Sequence, residues 1–292
     1  MSILQVGFPP PMALLRLGRV SNLPTVWTNV LAGTILAGGA RSPDQLFVVL
    51  VAMTAFYVGG MYLNDAFDRE IDRRERPTRP IPAGDIQAGS VFAIGFGLLG
   101  FGIAALSVYG GNAAIAGIGL AAAIIVYNVW HKGNVLSPVI MSLCRGLVYV
   151  GAAVAATGAV DVAVIGGAAL LAAHIAGLTY AAKQESLDRV ERLWPLAILA
   201  LPPLFGLVNA SLAWIAWIPL VILLAVDFFC IRLIARRPFP GAVPRAVGEL
   251  IAATALVDGL LVALTDGGTV FVVLCVFGWL ATRLLQRIVP GT

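Results

Sequence analysis

The chain alternates long apolar runs with short polar breaks. The runs fall at roughly 22–40, 45–64, 88–109, 112–130, 137–158, 161–182, 194–210, 212–234, 245–264 and 269–287. Each is near the length of about 20 residues that a helix needs to cross a bilayer. None alternates with a period of two, so the runs read as helices rather than strands. Lipid offers the backbone no hydrogen-bond partners, so each run must satisfy its own peptide groups internally. The pattern predicts an all-α, polytopic membrane bundle.

Composition agrees with lipid as the solvent. The 292 residues are 60 % hydrophobic and 12 % charged, with a mean hydropathy of +0.94. A soluble domain carries about 25 % charged residues. With ten spans, every Lys and Arg except Arg41 and Arg145 falls on one side, which the positive-inside rule makes cytoplasmic. That count requires the run at 194–210 to cross despite Pro202-Pro203, because otherwise Arg232, Arg236, Arg237 and Arg245 flip outward. The net charge of +4 therefore reflects topology and not nucleic-acid binding. Cys144, Cys230 and Cys275 all lie in apolar runs with no metal or disulfide spacing, and read as inert thiols. The N-terminus, with Pro9-Pro10-Pro11, lacks the pattern of a cleavable signal. No linker interrupts the chain, so residues 1–292 read as one domain. The GC-rich flavour of its Ala, Gly, Val and Arg usage points to a bacterial inner membrane, with the N-terminus cytoplasmic.

One stretch departs sharply from this background. Asn64-Asp65-Ala66-Phe67-Asp68-Arg69-Glu70-Ile71-Asp72 ends the second run, and Arg73-Arg74-Glu75-Arg76-Pro77-Thr78-Arg79-Pro80-Ile81-Pro82-Ala83-Gly84 follows it. Asp65, Asp68 and Asp72 are three and four residues apart, which stacks them on one helix face. Three such carboxylates repel one another unless a cation sits among them. Oxygen-only ligands suit a hard ion such as Mg²⁺, commonly shared with substrate phosphates. The arginines beyond offer forked donors to phosphate oxygens. The competing reading is a solvated cytosolic loop.

The string N-D-x-x-D-x-x-x-D followed by R-P-x-R-P-I-P-x-G resembles the first signature of the UbiA superfamily of intramembrane prenyltransferases. The resemblance implies a nine-helix core, here about residues 16–264, with 269–287 as an extra C-terminal helix. It also implies Mg²⁺-dependent transfer of a prenyl or polyprenyl group from its diphosphate to a small hydrophobic, often aromatic, acceptor. By the same resemblance, Asp65, Asp68 and Asp72 hold the metal, with Asn64, Arg76 and Arg79 beside them.

Further elements match with departures. Arg19-Val20-Ser21-Asn22-Leu23-Pro24 resembles the family's R-P-x-N start, making Asn22 a substrate contact or only a helix start. Tyr127 and Lys132 resemble the family's tyrosine and lysine, but His131 takes the lysine position. One residue turns a helix by about 100°, so Lys132 fits only where the helix has already ended. Otherwise it snorkels at the membrane edge. A second acidic motif, D-x-x-x-D, aligned on Tyr180, falls on Gln184 and Asp188, with Lys183 adjacent. Gln184 brings no charge, which weakens a two-metal arrangement and supports an alternative, a lipid-binding or carrier protein without catalysis.

Arg145 lies well inside the fifth run, where it costs about 2.5 kcal/mol or more on insertion scales. It reads as a contact to diphosphate or to an acidic acceptor, or as the partner of a structural carboxylate. Asp227, Glu249, Asp258 and His174 read as structural, with Glu249 paired to an arginine. Trp27, Trp194, Trp214 and Trp217 read as interface anchors. Gly95, Gly97, Gly100 and Gly102 on the third run serve close packing or leave room for a tail.

Overall fold

The computed structural model describes residues 10–183, 194–265 and 268–291. All ten apolar runs become helices. A short lead-in, α1 (Pro11–Leu17), precedes α2 (Leu23–Leu36), α3 (Pro43–Glu75), the single turn α4 (Pro80–Ala83), α5 (Ala88–Ser107), α6 (Gly111–Trp130), α7 (Ser137–Thr157) and α8 (Val162–Lys183). Then come α9 (Leu201–Asn209), α10 (Trp217–Arg236), α11 (Ala242–Ala263) and α12 (Thr269–Leu285). No strand occurs among the described residues.

Among the described residues, seven helices are long and apolar enough to cross a membrane. The first, seventh and tenth runs are shorter: α2 has 14 residues, the seventh is helical over Pro195–Asn209, and the tenth is α12. In the seventh run a 3₁₀ segment, Trp194–Ala200, leads into α9. Pro202 and Pro203 stand in the first turn of α9, where the missing N–H groups have no helical partner to lose.

Helix α3 runs for 33 residues, about 50 Å at 1.5 Å per residue. The hydrocarbon core is about 30 Å thick. The side chain of Ser42 caps its start by accepting from the Gln45 amide at 3.2 Å. Counted from that cap, Asp65 sits about 35 Å along the axis, so the acidic face emerges where the helix leaves the hydrocarbon.

The core of the described residues falls into two large clusters, beside a small one of Leu17, Tyr62, Ala66, Ile86 and Val91. One gathers Val49, Met53, Phe56, Leu63, Leu99, Leu120 and Ile124 from α3, α5 and α6, with Ala152 of α7. The other gathers Leu171, Leu220, Leu223, Leu250, Leu256 and Leu260 from α8, α10 and α11, with Tyr149 of α7. Helix α11 is the most deeply buried of these seven, and it packs on α2, α8, α10 and α12. The α2–α7 crossing is very close: a Cβ on Gly33 would stand 2.7 Å from Tyr149 Cα. The glycines of α5 divide by face. Gly95 and Gly102 pack against Leu63 and Phe56, whereas Gly97 and Gly100 have open space beside them. Trp27, Trp214 and Trp217 are exposed, as anchors would be.

Candidate active site

The acidic end of α3 is buried: Asn64, Asp65, Asp68 and Asp72 are each 7 % exposed or less. The helical spacing holds, and the cation among the carboxylates is supplied by the protein itself. After α3 ends, the chain turns back through Pro77 and Arg79 into α4. This return brings the Arg79 guanidinium to 3.2 Å from Asp65 Oδ1 and 2.6 Å from Asp72 Oδ2. Burial alone lowers the Arg79 pKa, but Asp65 and Asp72 outweigh it and the net shift is upward. The side chain is therefore firmly cationic.

A second arginine arrives from the α1–α2 junction. Arg19 donates to Asp65 Oδ1 at 3.1 Å and to Asn64 Oδ1 at 3.2 Å, with Met61 sulfur at 3.4 Å. Its backbone is left-handed, with φ 42°, which costs a non-glycine residue about 1–2 kcal/mol. Those side-chain bonds, together with the Tyr57 hydroxyl donating to the Arg19 carbonyl at 3.3 Å, hold it there. Arg19, expected from the charge pattern only to mark topology, thus also contacts the acidic face of α3.

Asp68 faces a different neighbour. Helix α6 stops at Trp130, so His131 and Lys132 stand beyond it and the 100° objection to Lys132 lapses. His131 Nε2 lies 3.3 Å and Lys132 Nζ 3.5 Å from Asp68 Oδ2. Tyr127 stacks on His131 with ring centroids 4.9 Å apart. One turn back, Asn128 joins α6 to α3. It donates to the Gly60 carbonyl at 3.0 Å and accepts from Asn64 at 3.2 Å. Sequence reading missed His131 and Asn128. The signal was there: two polar side chains at the end of an otherwise apolar run.

Asn22 and Lys183 engage partners outside this cluster. Asn22 is tied to the chain's end, donating to Gly291 O at 2.9 Å and accepting from Gln286 Nε2 at 2.9 Å. Its side chain makes no capping bond. Lys183 donates to Asn134 O at 2.6 Å, and Tyr180 packs at the edge of the second core. Gln184 and Asp188 lie outside the described residues. Arg76 lines the cavity described below.

Arg145 touches none of the aspartates of α3. Its Nη1 donates to Asn29 Oδ1 at 2.7 Å and its Nη2 to Thr25 Oγ1 at 3.2 Å, and it lies 5.5 Å from the Tyr57 ring centre. Behind it, Asn29 Nδ2 donates to both oxygens of Asp258 at 2.8 Å. Asp258 also accepts from Thr28 at 2.6 Å and from Tyr149 at 2.5 Å. The carboxylate that Arg145 answers is thus reached through an amide. Two other structural readings hold as well: His174 bonds the Leu250 carbonyl at 2.9 Å and Glu249 pairs with Arg283 at 2.7 Å.

Among the described residues, no three His, Cys, Asp or Glu side chains gather closely enough to hold a metal ion. Asp65 and Asp72 share Arg79, while Asp68 turns to His131 and Lys132. The donor set still fits a hard cation. Each carboxylate engages protein partners through one oxygen, leaving Asp65 Oδ2, Asp68 Oδ1 and Asp72 Oδ1 unpaired among the described residues. A cavity of about 550 Å³ opens at this end, lined by Asp65 and by Arg16, Arg19, Arg76 and Arg79. Its charge suits a polyanion.

Residues 25–256 match the model of the UbiA prenyltransferase family. The chain belongs to that family. Solved UbiA homologues share the fold. One from Aeropyrum pernix K1 is 17 % identical, with a TM-score of 0.66 over 82 % of this chain and 96 % of that one. One from Archaeoglobus fulgidus, bound to GPP and Mg²⁺, is 17 % identical, with a TM-score of 0.56 over 94 % and 99 %. A digeranylgeranylglyceryl phosphate synthase is 19 % identical, with a TM-score of 0.61 over 86 % and 97 %. No curated protein sequence matched. The UbiA chain is an integral membrane protein, and α12 lies beyond the matched residues.

Proposed function

We propose that this UbiA protein transfers a prenyl or polyprenyl group from its diphosphate to a small, aromatic acceptor, in a Mg²⁺-dependent reaction within the membrane. The observation that carries the reading is Asp65, buried between Arg19 and Arg79 at the wall of a cavity lined by four arginines. Arginine forks are the preferred partners of phosphate oxygens. Asp65, Asp68 and Asp72, with Asp188, are the residues that would hold Mg²⁺. When bound, the ion neutralises the charge on the departing diphosphate. Arg79 stands beside Asp65 and Asp72, and Lys132 and His131 beside Asp68, where cationic and N–H donors stabilise charge on a leaving group in place. The allylic carbon must be kept from water, and the apolar bundle below the acids does so. Arg145, whose partners are Thr25, Asn29 and Tyr57, is assigned to the acceptor side. The whole chain acts as one domain in a bacterial inner membrane, with the N-terminus and the acidic end in the cytoplasm.

The test is diphosphate release from geranyl, farnesyl and longer prenyl diphosphates in membranes containing the protein, with a panel of acceptors. Release is expected to need Mg²⁺ and to stop with EDTA. Asp65→Asn and Asp68→Asn are each expected to lower turnover by at least about 100-fold. Saturable donor binding without release for any acceptor sinks the transferase reading. It would favour the carrier reading, which Gln184 in place of the family's aspartate supports.

A further inference from the structure

The same end of the bundle carries a second cavity of about 410 Å³, between α11 and α12. That volume lies within the range of small-molecule sites. Its charged and polar lining is Arg245 and Glu249 from α11, and Arg283, Gln286 and Arg287 from α12 and its end. Three guanidinium groups thus face one carboxylate.

That carboxylate is already engaged. Glu249 Oε2 lies 2.7 Å from Arg283 Nε, and Oε1 accepts from Arg283 Nη2 at 3.1 Å. Arg245 and Arg287 have no carboxylate partner among the described residues. Arg245 is nevertheless held in place, with its guanidinium 5.6 Å from the Phe229 ring centre and 6.0 Å from that of Phe239. Arg283 likewise rests 5.0 Å from the Trp279 ring centre. Stacking on ring faces fixes an arginine without consuming its in-plane N–H donors. The wall is equally settled: Gln286 Nε2 donates to the Gly248 carbonyl at 3.3 Å, and a Cβ at Gly248 would come within 3.3 Å of Gln286 Oε1. Arg245 and Arg283 are thus positioned cations, and Arg287 adds an exposed third charge just beyond α12.

The surroundings indicate the ligand. Phe277, Leu284 and Ile288 on the α12 side are 66 %, 57 % and 66 % exposed. In a membrane protein such side chains meet acyl chains, so the cavity sits where a lipid's phosphate and its tails lie together. Basic pockets between helices at this level take anionic headgroups.

We propose that Arg245, Arg283 and Arg287 form a second anion site, which takes the phosphate ester of an anionic membrane lipid. The site depends on α12, outside the family match at 25–256, and stands whether or not the chain transfers prenyl groups. Pro290 walls both this cavity and the acidic one, so the two anions occupy separate but adjoining spaces.

The experiment is native mass spectrometry of the full chain in detergent with equimolar phosphatidylglycerol and phosphatidylcholine. Wild type is expected to retain phosphatidylglycerol at least about tenfold more, equivalent to about 1.4 kcal/mol. In R245Q/R287Q that preference is expected to vanish. Arg232→Gln, whose side chain rests 5.5 Å from the Phe228 ring centre away from the cavity, is expected to keep it. R287Q alone changes an exposed side chain; should the double variant not fold, a clear fall in preference with R287Q supports the site. A second arm adds glycerol phosphate. Its displacement of phosphatidylglycerol identifies the phosphate ester as the recognised group, whereas arginine-dependent glycerol phosphate binding with no lipid preference overturns the lipid assignment. Equal preference in wild type and R245Q/R287Q, or an equal loss with Arg232→Gln, overturns the site.

Discussion

Asn29 is the residue through which two buried charges communicate. Its amide can lie only one way round: the amino group faces both Asp258 oxygens and the carbonyl faces Arg145. Asp258→Asn replaces one of those acceptor oxygens with a donor amino group. Either that group meets the Asn29 amino group, or Asn29 flips and turns its amino group toward the guanidinium. Both outcomes strand a buried donor, at about 1–3 kcal/mol. The expected result is a lower unfolding temperature in detergent, by about 2–4 °C for each kcal/mol in a chain of this order of size. An unchanged midpoint would show that the network contributes nothing to stability. The acidic motif could be read in advance because helical spacing places its three aspartates within nine residues. The Asn29–Asp258 pair could not, because 229 residues separate its members and only the packing of α2 on α11 brings them together. Arg19 and His131 fall between these cases. Both were visible as polar residues at run ends, but their partners on α3 were not.

At the scale of the helix pair, small residues decide which faces touch. Gly33 lets α2 approach α7 so closely that a methyl group would enter the Tyr149 backbone. That backbone carries the hydroxyl that serves Asp258. Gly33→Ala is therefore expected to separate the helices and destabilise the fold by about 1–3 kcal/mol. Gly97→Ala on α5 meets open space and is expected to be neutral or to stabilise by up to about 1 kcal/mol, through its greater helix propensity. Thermal unfolding of both variants in one detergent checks the contrast, and equal shifts would refute the packing account. Sequence alone grouped Gly95, Gly97, Gly100 and Gly102 together. Their division into packed and open pairs depends on which face of α5 meets α3, and four glycines in an apolar run carry no polar side to mark it. Helix ends were clearer where chemistry stopped the helix. The end of α6 at Trp130 is the boundary that lets Lys132 reach Asp68, and the sequence identified that condition without resolving it.

For the molecule as a whole, the helices return the chain to the end where it began. The structure gathers Arg16, Arg19, Arg76, Arg79 and Pro290 round one cavity, brings Lys132 to Asp68 and places Lys183 on Asn134. Arg41, which falls outside that grouping as Arg145 does, instead reaches the Thr157 carbonyl at the opposite ends of α2 and α7. Such one-sided gathering of cations is what the positive-inside rule converts into orientation. The acidic end is therefore expected in the cytoplasm, where a soluble diphosphate head has access to it. Ala40→Cys and Ser211→Cys sit in exposed connections assigned to the far side, whereas Asp85→Cys is exposed beyond α4 at the acidic end. An impermeant maleimide on intact cells is expected to label the first two, and to label Asp85→Cys only after permeabilisation. The native thiols contribute little background, since Cys230 and Cys275 are buried and Cys144 is partly so. Labelling of Asp85→Cys alone inverts the molecule. Protection of Ser211→Cys beside a labelled Ala40→Cys would mean that the run through Pro195–Asn209 does not cross, placing the arginines of α10 on the wrong side. Both results would remove the shared cytoplasmic end on which the two adjoining anion cavities depend.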